Sequence, residues 1–313
     1  MRVLIVCSGN ASNFDFERHQ AFIFDQTEAV KKLTNLVQFD YFFIKQKGVI
    51  GYLSHLRELK QLLKKNKFDC IHAHVAASAL LANMQRQVPV ITTFHGSDLN
   101  LKSQRWLSAL VAILSHRVIY VSEQLWNKSF FKLTAKSYVI PCGVSFDLFK
   151  PVNKSEARQH LGLSSKKKYI LFSSHLENQI KNPQLALLAV EQLTELDVKM
   201  IELKGYSRGQ VALLMAAADI ALMTSYSEGS PQFVKEALAC NCPVVSTKVG
   251  DVASILTDVP NCYLVANNPT EVAAAIRKVL SNDTHLEGIK YIKRFDNHII
   301  ARQIFNIYQL LND

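Results

Sequence analysis

The segment formed by residues 220–247 constrains the fold most, because it contains the full pattern of a strand, a helix and a second strand. Residues 220–224 (IALMT) form a short apolar run that is typical of a buried strand. Ser230 suits a helix N-cap and Pro231 suits the first helical position. A second apolar strand follows at residues 243–247. Two strands joined through a helix lie parallel, so the segment predicts an α/β fold built on parallel sheets.

Two carboxylates, Glu228 and Glu236, lie eight residues apart around the predicted start of this helix. Ligands of such units bind beyond the carboxyl end of the strand, where the next helix offers free N–H groups and partial positive charge to phosphate. A carboxylate only accepts hydrogen bonds, so it suits sugar hydroxyls better than phosphate. The arrangement therefore favours a ligand that carries both groups, such as a nucleotide sugar.

The composition describes a globular protein of two domains. The chain has 313 residues, of which 49% are apolar and 20% charged, and each half is long enough to bury its own core. No apolar run approaches the ~18 residues that span a bilayer, and the N-terminal run predicts a strand, not a signal peptide. The cysteines have no C-x-x-C or zinc-type spacing, which predicts reduced thiols. We therefore expect a cytoplasmic location.

The positive charge is concentrated in the first half of the chain. Residues 1–150 contain 19 basic and 10 acidic side chains, whereas residues 151–313 contain 17 and 16. Leucines at helical spacing predict a basic amphipathic helix at about residues 53–65. Two structures fit this pattern: an ordinary surface helix packed on a sheet, or a helix whose charged face, within residues 45–67, contacts anionic lipid at the inner face of the plasma membrane. No nucleic-acid motif accompanies the charge, so nucleic acid is not expected as a partner.

Strand and helix signals alternate along the whole chain, which indicates two parallel α/β layers. In the first half the predicted strands are residues 3–7, 37–44, 70–74, 90–94, 118–121 and 137–140. In the second half they are residues 169–173, 198–203, 220–224, 244–247 and 262–265. A polar stretch at residues 145–153 predicts a linker, and residues 298–311 predict a final helix.

Two motifs resemble elements of a known family. The loop EGSPQ, the helix FVKEALAC, the strand PVV and the closing VGD resemble the E-x7-E element of the family 4 (group 1) glycosyltransferases, of bacterial polysaccharide type. Residues 141–151 (PCGVSFDLFKP) resemble the P-N-G-V-D-x-x-x-F-x-P linker of this family, with Cys142 at the asparagine position. The resemblance implies a GT-B fold, in which two Rossmann-like domains face each other across a cleft and a C-terminal helix crosses back to the first domain. It implies an acceptor-side domain at residues 1–148, a donor domain at 149–296 and the C-terminal helix at 297–313.

The resemblance also implies an activity: retaining transfer of a hexosyl group from a nucleotide-diphosphate sugar, UDP- or GDP-linked, to a glycan or lipid-linked glycan. Glu236 would hold the nucleotide ribose, and Glu228 would hold the sugar hydroxyls. The backbone of Gly229, Ser230, Pro231 and Gln232 would assist Glu228. Lys181, directly before a predicted N-cap at Asn182 and Pro183 at the first helical position, matches a family lysine that binds the diphosphate. His175 stands where the family has an arginine.

Three residues of the first half also match family positions. His95, in the element T-x-H-G-x-D, would face the donor sugar near the reacting carbon. Asp98 would orient this histidine or meet the acceptor. Gly9 would let the backbone approach the diphosphate, although an ordinary turn after the first strand explains it equally well. His72 and His74 have no third partner that could complete a metal site, and we do not expect them to bind one.

Other functions remain open at this stage. The chain lacks the Asp-x-Asp triplet that carries a metal in GT-A transferases, so neither a metal nor another cofactor is expected. A nucleotide-sugar epimerase of GT-B fold and a catalytically silent binding subunit are alternatives. The second domain is about twenty residues shorter than is usual in the family, before the A-A-D segment, and the missing strand-helix unit lies where the nucleobase is normally held. A dinucleotide dehydrogenase is disfavoured because no G-x-G-x-x-G motif follows the first strand.

Overall fold

A computed structural model describes residues 1–282 and 284–311 of the chain. The chain divides into two compact units. The first comprises Met1–Gly143 together with Asn297–Asp313, and the second comprises Val144–Asp296. Residue 283 of the expected donor domain and residues 312 and 313 of the expected C-terminal segment lie outside the described residues.

The first unit contains a six-stranded sheet in which every neighbouring pair is parallel, with strand order β2-β1-β3-β4-β5-β6. Its strands are β1 (Arg2–Ser8), β2 (Gln38–Ile44), β3 (Cys70–His74), β4 (Val90–Phe94), β5 (Arg117–Tyr120) and β6 (Ser137–Val139). Its helices are α1 (Phe16–His19), α2 (Ala21–Leu33), α3 (Gly48–Leu53), α4 (Leu56–Lys65), α5 (Ala76–Asn83), α6 (Ser97–Asn100), α7 (Arg105–Leu114) and α8 (Glu123–Lys128), with a final helix near the C-terminus.

The second unit contains a five-stranded parallel sheet with strand order β11-β10-β9-β7-β8. Its strands are β7 (Lys168–Phe172), β8 (Val198–Glu202), β9 (Ile220–Met223), β10 (Val244–Thr247) and β11 (Tyr263–Val265). Its helices are α9 (Lys154–His160), α10 (Pro183–Val190), α11 (Arg208–Ala217), α12 (Gln232–Ala239), α13 (Val252–Ile255), α14 (Pro269–Leu280) and α15 (Ile289–Ile292). The final helix of the chain is α16 (Asn297–Gln309). Short 3₁₀ helices cover Lys102–Gln104, Thr134–Lys136, Gln179–Lys181 and Lys293–Phe295.

The predicted strands are confirmed, and each observed end lies within one residue of its predicted position. The inner strands β3, β4, β9 and β10 are short, mostly apolar runs whose side chains are buried on both faces, which is the pattern of a parallel sheet covered by helices. The terminal helix α16 belongs to the first unit, as the GT-B resemblance implies. It packs against α2 and buries Ile300, Ile304 and Ile307 beside Val3 and Ile5 of β1.

The predicted basic helix at residues 53–65 is confirmed from Leu56 to Lys65, and its first residue belongs to a separate helix. The chain forms α3, leaves the helix at Ser54 and His55, and then forms α4. Leu59 and Leu63 of α4 are buried in the core of the first unit, so the leucine stripe packs on the sheet as in an ordinary surface helix. Its charged side chains, such as Arg57, face solvent. Among the described residues, no helix combines the length and apolar character needed to cross a membrane.

The predicted linker at residues 145–153 is an integral part of the second unit. Phe149 is fully buried in the core of this unit. The backbone N–H of Val144 donates to the carbonyl of Phe295 at 2.7 Å, and Val144 bridges Asp296 in parallel register. The stretch looked like a linker because it is polar and rich in turn residues, but one large aromatic side chain is sufficient to anchor it.

A buried histidine joins α16 to the first sheet. His72 of β3 lies with Nδ1 2.8 Å from the Tyr308 hydroxyl of α16 and Nε2 2.8 Å from the Thr93 hydroxyl of β4. His74 stacks on it, with ring centroids 4.4 Å apart. Burial, with a smaller contribution from His95, lowers the pKa of His72 to about 3. Burial also lowers the pKa of His74 well below its ordinary value. Both imidazoles are therefore neutral in the folded chain at neutral pH.

The neutral histidines predict that acid destabilises the first unit. Because their folded-state pKa values are depressed, the stabilisation is complete above the ordinary histidine pKa of about 6.5 and is lost as the pH falls below it. Burial lowers the pKa of His95, in the same unit, to about 3 as well, so we expect the free energy of unfolding to fall by about 1.4 kcal/mol per pH unit for each of His72, His74 and His95 between about pH 6.5 and about pH 5. Trp106 and Trp126, the two tryptophans of the chain, lie in this unit, so their fluorescence during urea unfolding reports it separately.

Two variants test the assignment. His74→Gln removes one buried titrating group, so its stability should depend less steeply on pH than that of the wild type. His19→Gln alters an exposed histidine of the same unit and should leave the pH dependence unchanged. Equal slopes for His74→Gln and wild type would show that His74 is not held neutral by folding.

Candidate active site

Two loops of the second unit meet at the carboxyl edge of its sheet, because β7 and β9 are parallel neighbours. The loops are cross-linked by backbone contacts. The Thr224 hydroxyl lies 2.9 Å from the carbonyl oxygens of both Lys181 and Asn182. The Tyr226 N–H donates to the Ile180 carbonyl at 2.9 Å. The side chains on these loops are consequently held within reach of one another.

Lys181 and Glu228, one from each loop, form an ion pair. Lys181 Nζ lies 2.6 Å from Glu228 Oε1, and the side chains are 24% and 13% exposed. Lys181 ends a 3₁₀ turn, and Asn182 follows in the left-handed conformation with φ of 50°. The Asn182 side chain accepts a hydrogen bond from the Leu185 N–H at 3.4 Å and Pro183 starts α10, so the predicted N-cap is confirmed. The two residues that the sequence places in separate motifs thus contact each other beside a helix N-terminus.

The start of α12 differs from the prediction by one residue. Pro231, not Ser230, is the N-cap, and the helix begins at Gln232. Ser230 instead accepts a hydrogen bond from Lys235 Nζ at 3.1 Å. Lys235 is fully buried, with its ammonium 4.9 Å from the ring centre of Phe295. A buried ammonium without a polar partner costs more free energy than a helix end without a side-chain cap. The prediction of Ser230 as the N-cap is therefore wrong.

Glu228 and Gly229 also lie against the V-G-D turn that follows β10. Gly250 has a positive φ of 54°, and a Cβ built on it would lie 2.7 Å from the Gly229 carbonyl oxygen. A side chain at position 250 would therefore push the Glu228 loop away. The V-G-D turn at the end of the motif therefore fixes the position of the Glu228 loop at its start.

Glu236 is buried inside α12 and is paired with Arg208, the first residue of α11. Arg208 Nη1 lies 2.7 Å from Glu236 Oε1, and the side chains are 15% and 6% exposed. The guanidinium carbon is 4.7 Å from the ring centre of Phe149. Sequence reasoning missed Arg208, since no local spacing relates it to Glu236. A buried carboxylate requires a cationic or hydrogen-bonding partner. The burial of Glu236 therefore indicates that such a partner exists, although it does not identify Arg208.

His175, at the family arginine position, contacts a carboxylate. Its Nδ1 lies 2.9 Å from Glu177 Oε2, and the other Glu177 oxygen pairs with Lys204 Nζ at 2.5 Å. The hydrogen bond from Lys204 is the main cause that lowers the pKa of Glu177 to about 2. Lys204 follows β8 at the same edge of the sheet and is a cation that sequence reasoning also missed.

His95 follows β4 of the first unit and is surrounded by polarisable groups. Its Nε2 lies 3.0 Å from His74 Nδ1, and its Nδ1 lies 3.8 Å from the Cys142 sulfur. The ring of Phe22 is 4.6 Å away, centroid to centroid. Burial lowers the pKa of His95 to about 3, so this imidazole is neutral and can donate only one N–H. Cys142, which replaces the family asparagine, is therefore a neighbour of His95.

Asp98 is buried and accepts two backbone hydrogen bonds. Its Oδ1 accepts from the Ala76 N–H at 2.7 Å, and its Oδ2 accepts from the His95 N–H at 2.8 Å. Burial raises its pKa, while these N–H groups act in the opposite direction. Of the two roles expected for Asp98, this geometry supports orienting the His95 loop.

Gly9 has a packing role in the first unit. A Cβ at this position would lie 2.7 Å from Phe43 Cβ, and the Gly9 N–H donates to the Ile44 carbonyl at 2.8 Å. The close approach of β1 and β2 at their carboxyl ends is therefore enough to require glycine here.

The sequence matches two glycosyltransferase family models. Residues 1–148 match the model described as Glycosyltransferase Family 4, and residues 178–282 match the model described as Glycosyl transferases group 1. TuaC of Bacillus subtilis, named for teichuronic acid biosynthesis, is 27% identical over 248 residues, which cover 70% of this chain and 64% of TuaC. The uncharacterized glycosyltransferase MJ1178 of Methanocaldococcus jannaschii is 27% identical over 292 residues, 84% of this chain and 82% of MJ1178. The chain thus spans just under two thirds of the length of TuaC.

Solved structures share the fold at low sequence identity. Sucrose-phosphate synthase from Thermosynechococcus elongatus has a TM-score of 0.84 at 16% identity, covering 99% of this chain and 98% of the synthase. HepE from Anabaena, solved in complex with UDP and glucose, has a TM-score of 0.76 at 17% identity, covering 98% of this chain and 99% of HepE. These neighbours are glycosyltransferases of GT-B fold. The chain therefore has the GT-B fold and belongs to the family 4 (group 1) glycosyltransferases.

Proposed function

We propose that the chain moves a sugar from a nucleotide-diphosphate sugar to a glycan or lipid-linked glycan in the synthesis of a cell-surface polysaccharide. The observation that carries the proposal is the ion pair between Lys181 and Glu228 beside the N-terminus of α10. A diphosphate needs a cation and free N–H groups, and a sugar needs a carboxylate acceptor. Both kinds of group are present at one edge of the second sheet.

The ion pair supports an exchange of partners when donor binds. The pair is partly exposed, so a ligand that binds at this edge of the sheet can reach both side chains. A diphosphate carries more negative charge than one carboxylate, so it can take Lys181 from Glu228. Glu228 is then available to accept hydrogen bonds from sugar hydroxyls. The same contact therefore prepares both donor-binding groups in the absence of donor.

Lys181 would also stabilise the leaving group. Breaking the glycosyl–phosphate bond leaves additional negative charge on the diphosphate and positive charge on the sugar. Lys181 and the N-termini of α10 and α12 would stabilise that charge without a metal ion. Retention of the anomeric configuration is proposed from the family resemblance, with attack on the same face of a hexosyl group and the leaving phosphate accepting the acceptor proton.

Glu236 would hold the nucleotide ribose through its two hydroxyls. Arg208 supports this role, because it fixes the position of a carboxylate that is otherwise buried in α12. HepE was solved with UDP and glucose, which favours a UDP-linked donor over a GDP-linked one. By the family resemblance, His95 would contact the donor sugar. Asp98 would orient the loop that carries His95.

The cysteines support a reducing compartment. All six are free thiols, and five of them are buried. Burial raises the pKa of Cys7 and Cys70 to about 12, so these side chains are protonated and unreactive. We place the protein in the cytoplasm, where nucleotide sugar and a membrane-linked acceptor can meet, with the basic segment at residues 45–67 contributing charge towards an anionic membrane surface.

Substitution of Lys181 tests its role in leaving-group stabilisation. Lys181→Ala should lower turnover by at least about 100-fold, a typical cost of removing a charge contact to the transition state. The assay is nucleotide release that requires both donor and acceptor, which separates transfer from epimerisation and from silent binding. Lys199→Ala, which alters an exposed lysine of β8, is the matched control and should keep wild-type turnover. Near wild-type turnover of Lys181→Ala would remove this residue from the mechanism.

Calorimetry with free nucleotide diphosphate tests the ribose site. Glu236→Ala should weaken binding by about 10- to 100-fold, the cost of losing hydrogen bonds to a charged group. Arg208→Met should weaken it in the same direction, because Glu236 then loses the partner that holds it. Glu195→Ala removes a surface ion pair with Arg277 and should bind as wild type does. Unchanged affinity of Glu236→Ala would exclude it from the site.

Chelation tests the proposal that the leaving group needs no metal. Activity should persist in excess EDTA, because Lys181 and the two helix N-termini supply the positive charge. Activity that disappears with EDTA and returns with Mg²⁺ or Mn²⁺ would contradict the proposal.

A further inference from the structure

Helix α7 exposes an apolar face to solvent. Trp106, Leu110 and Ile113 follow helical spacing on one side of the helix and are 70%, 47% and 50% exposed. The opposite side is buried in the core through residues such as Ala109 and Ala112. A surface helix normally carries polar side chains on its outer side. Helix α7 differs, because both its buried side and its exposed side carry apolar residues.

Neighbouring segments extend this surface. Phe130, in the loop after α8, lies against Trp106 with ring centroids 4.7 Å apart, and the adjacent Phe131 is 43% exposed. Leu101, before α7, is 55% exposed. We call these six residues the α7 apolar face: Leu101, Trp106, Leu110, Ile113, Phe130 and Phe131. Contiguous apolar surface of this kind usually marks an interaction site.

The surroundings of the α7 apolar face are basic. Residues 101–137 contain six lysines and arginines and a single acid, Glu123. Lys128, Lys132 and Lys136 donate to carbonyl and amide oxygens, namely those of Asn100, of Trp126 and Asn127, and of Ile113 and Ser115. These acceptors are neutral oxygens, so within the described part of the chain the contacts orient the ammonium groups without neutralising their charge.

Helix α4 adds more positive charge on the same side of the sheet. Helix α5 packs against both α4 and α7, and buried residues of all three helices share one core. Leu59 and Leu63 of α4 are buried and its other leucines are partly buried, so this helix offers mainly charge to the surface. The sequence predicts only a charged contact with lipid at residues 45–67, whereas α7 adds an exposed apolar face to the same unit.

We propose that the α7 apolar face docks on an anionic membrane surface, with its aromatic side chains in the headgroup region and the flanking bases on anionic headgroups. An aromatic and aliphatic centre with a basic rim is the chemistry of interfacial membrane contact. A second copy of the chain fits less well, because a symmetric contact brings each basic rim against its own copy. The inference goes beyond the proposed transfer reaction and does not depend on it.

Vesicle flotation of the full chain tests the proposal. Wild type should float with vesicles of equal parts phosphatidylcholine and phosphatidylglycerol, and much less with phosphatidylcholine alone. Binding should weaken between about 0.1 M and about 1 M salt, since the Debye length falls from about 10 Å to about 3 Å. The triple variant Trp106→Ser, Leu110→Ser, Ile113→Ser should bind at least about tenfold more weakly, because the apolar anchor is lost.

Two further measurements complete the test. The control variant Leu36→Ser, Ile299→Ser changes exposed apolar residues elsewhere in the first unit and should float as wild type does. In Trp126→Phe, Trp106 is the remaining tryptophan, and its fluorescence should shift to shorter wavelength on addition of anionic vesicles. Circular dichroism and the urea midpoint show whether each variant is folded.

Three outcomes would overturn the inference. The first is no flotation of wild type with anionic vesicles. The second is equal flotation of wild type and a folded triple variant. The third is a wild-type dimer in sedimentation without lipid that the triple variant abolishes, which would assign the face to a second copy. Donor turnover is measured separately in solution, so failure of vesicle binding and failure of the transfer proposal are distinguishable.

Discussion

Parallel pairing of β7 with β9 is the constraint on which the candidate active site depends. It places the loops after both strands at one edge of the second sheet, although they are more than forty residues apart in sequence. The Thr224 hydroxyl and the Tyr226 N–H then fix one loop on the other through backbone oxygens. Lys181 and Glu228 form an ion pair as a result. The two sequence motifs that contain them therefore belong to one site.

The burial of α12 determines which side chains surround Glu236 in the candidate active site. Every residue from Phe233 to Ala239 is buried, including Lys235 and Glu236. A buried charge is costly unless it is paired, so this helix requires two partners from outside itself. Lys235 contacts the Ser230 hydroxyl and the Phe295 ring and interacts electrostatically with Asp251, and Glu236 pairs with Arg208. Helix α12 thereby carries one carboxylate of the motif in a fixed orientation, which a flexible surface helix could not provide.

Features with a local physical cause could be predicted from the sequence, and features that depend on distant residues could not. The strands are short apolar runs between turns, and Asn182 with Pro183 is a complete helix start within two residues. The Ser230 cap was wrong because Lys235, five residues on, takes the hydroxyl. The pairing of Arg208 with Glu236 spans 28 residues and has no periodic signature. Likewise, the sequence of α4 is the same whether its charged face contacts solvent or anionic lipid.

The histidines of the first unit are buried and neutral, so the proposed mechanism assigns the stabilisation of charge to the second unit. His72, His74 and His95 form a stack of buried rings, and burial of this stack keeps all three neutral near neutral pH. A neutral His95 can hold a sugar hydroxyl but cannot balance the charge of a departing diphosphate. His175 offers no substitute, because it is paired with Glu177. In the proposed mechanism, stabilisation of the leaving group therefore falls to Lys181 and the adjoining helix N-termini, and the histidine at position 175 would make this lysine more important in the present chain.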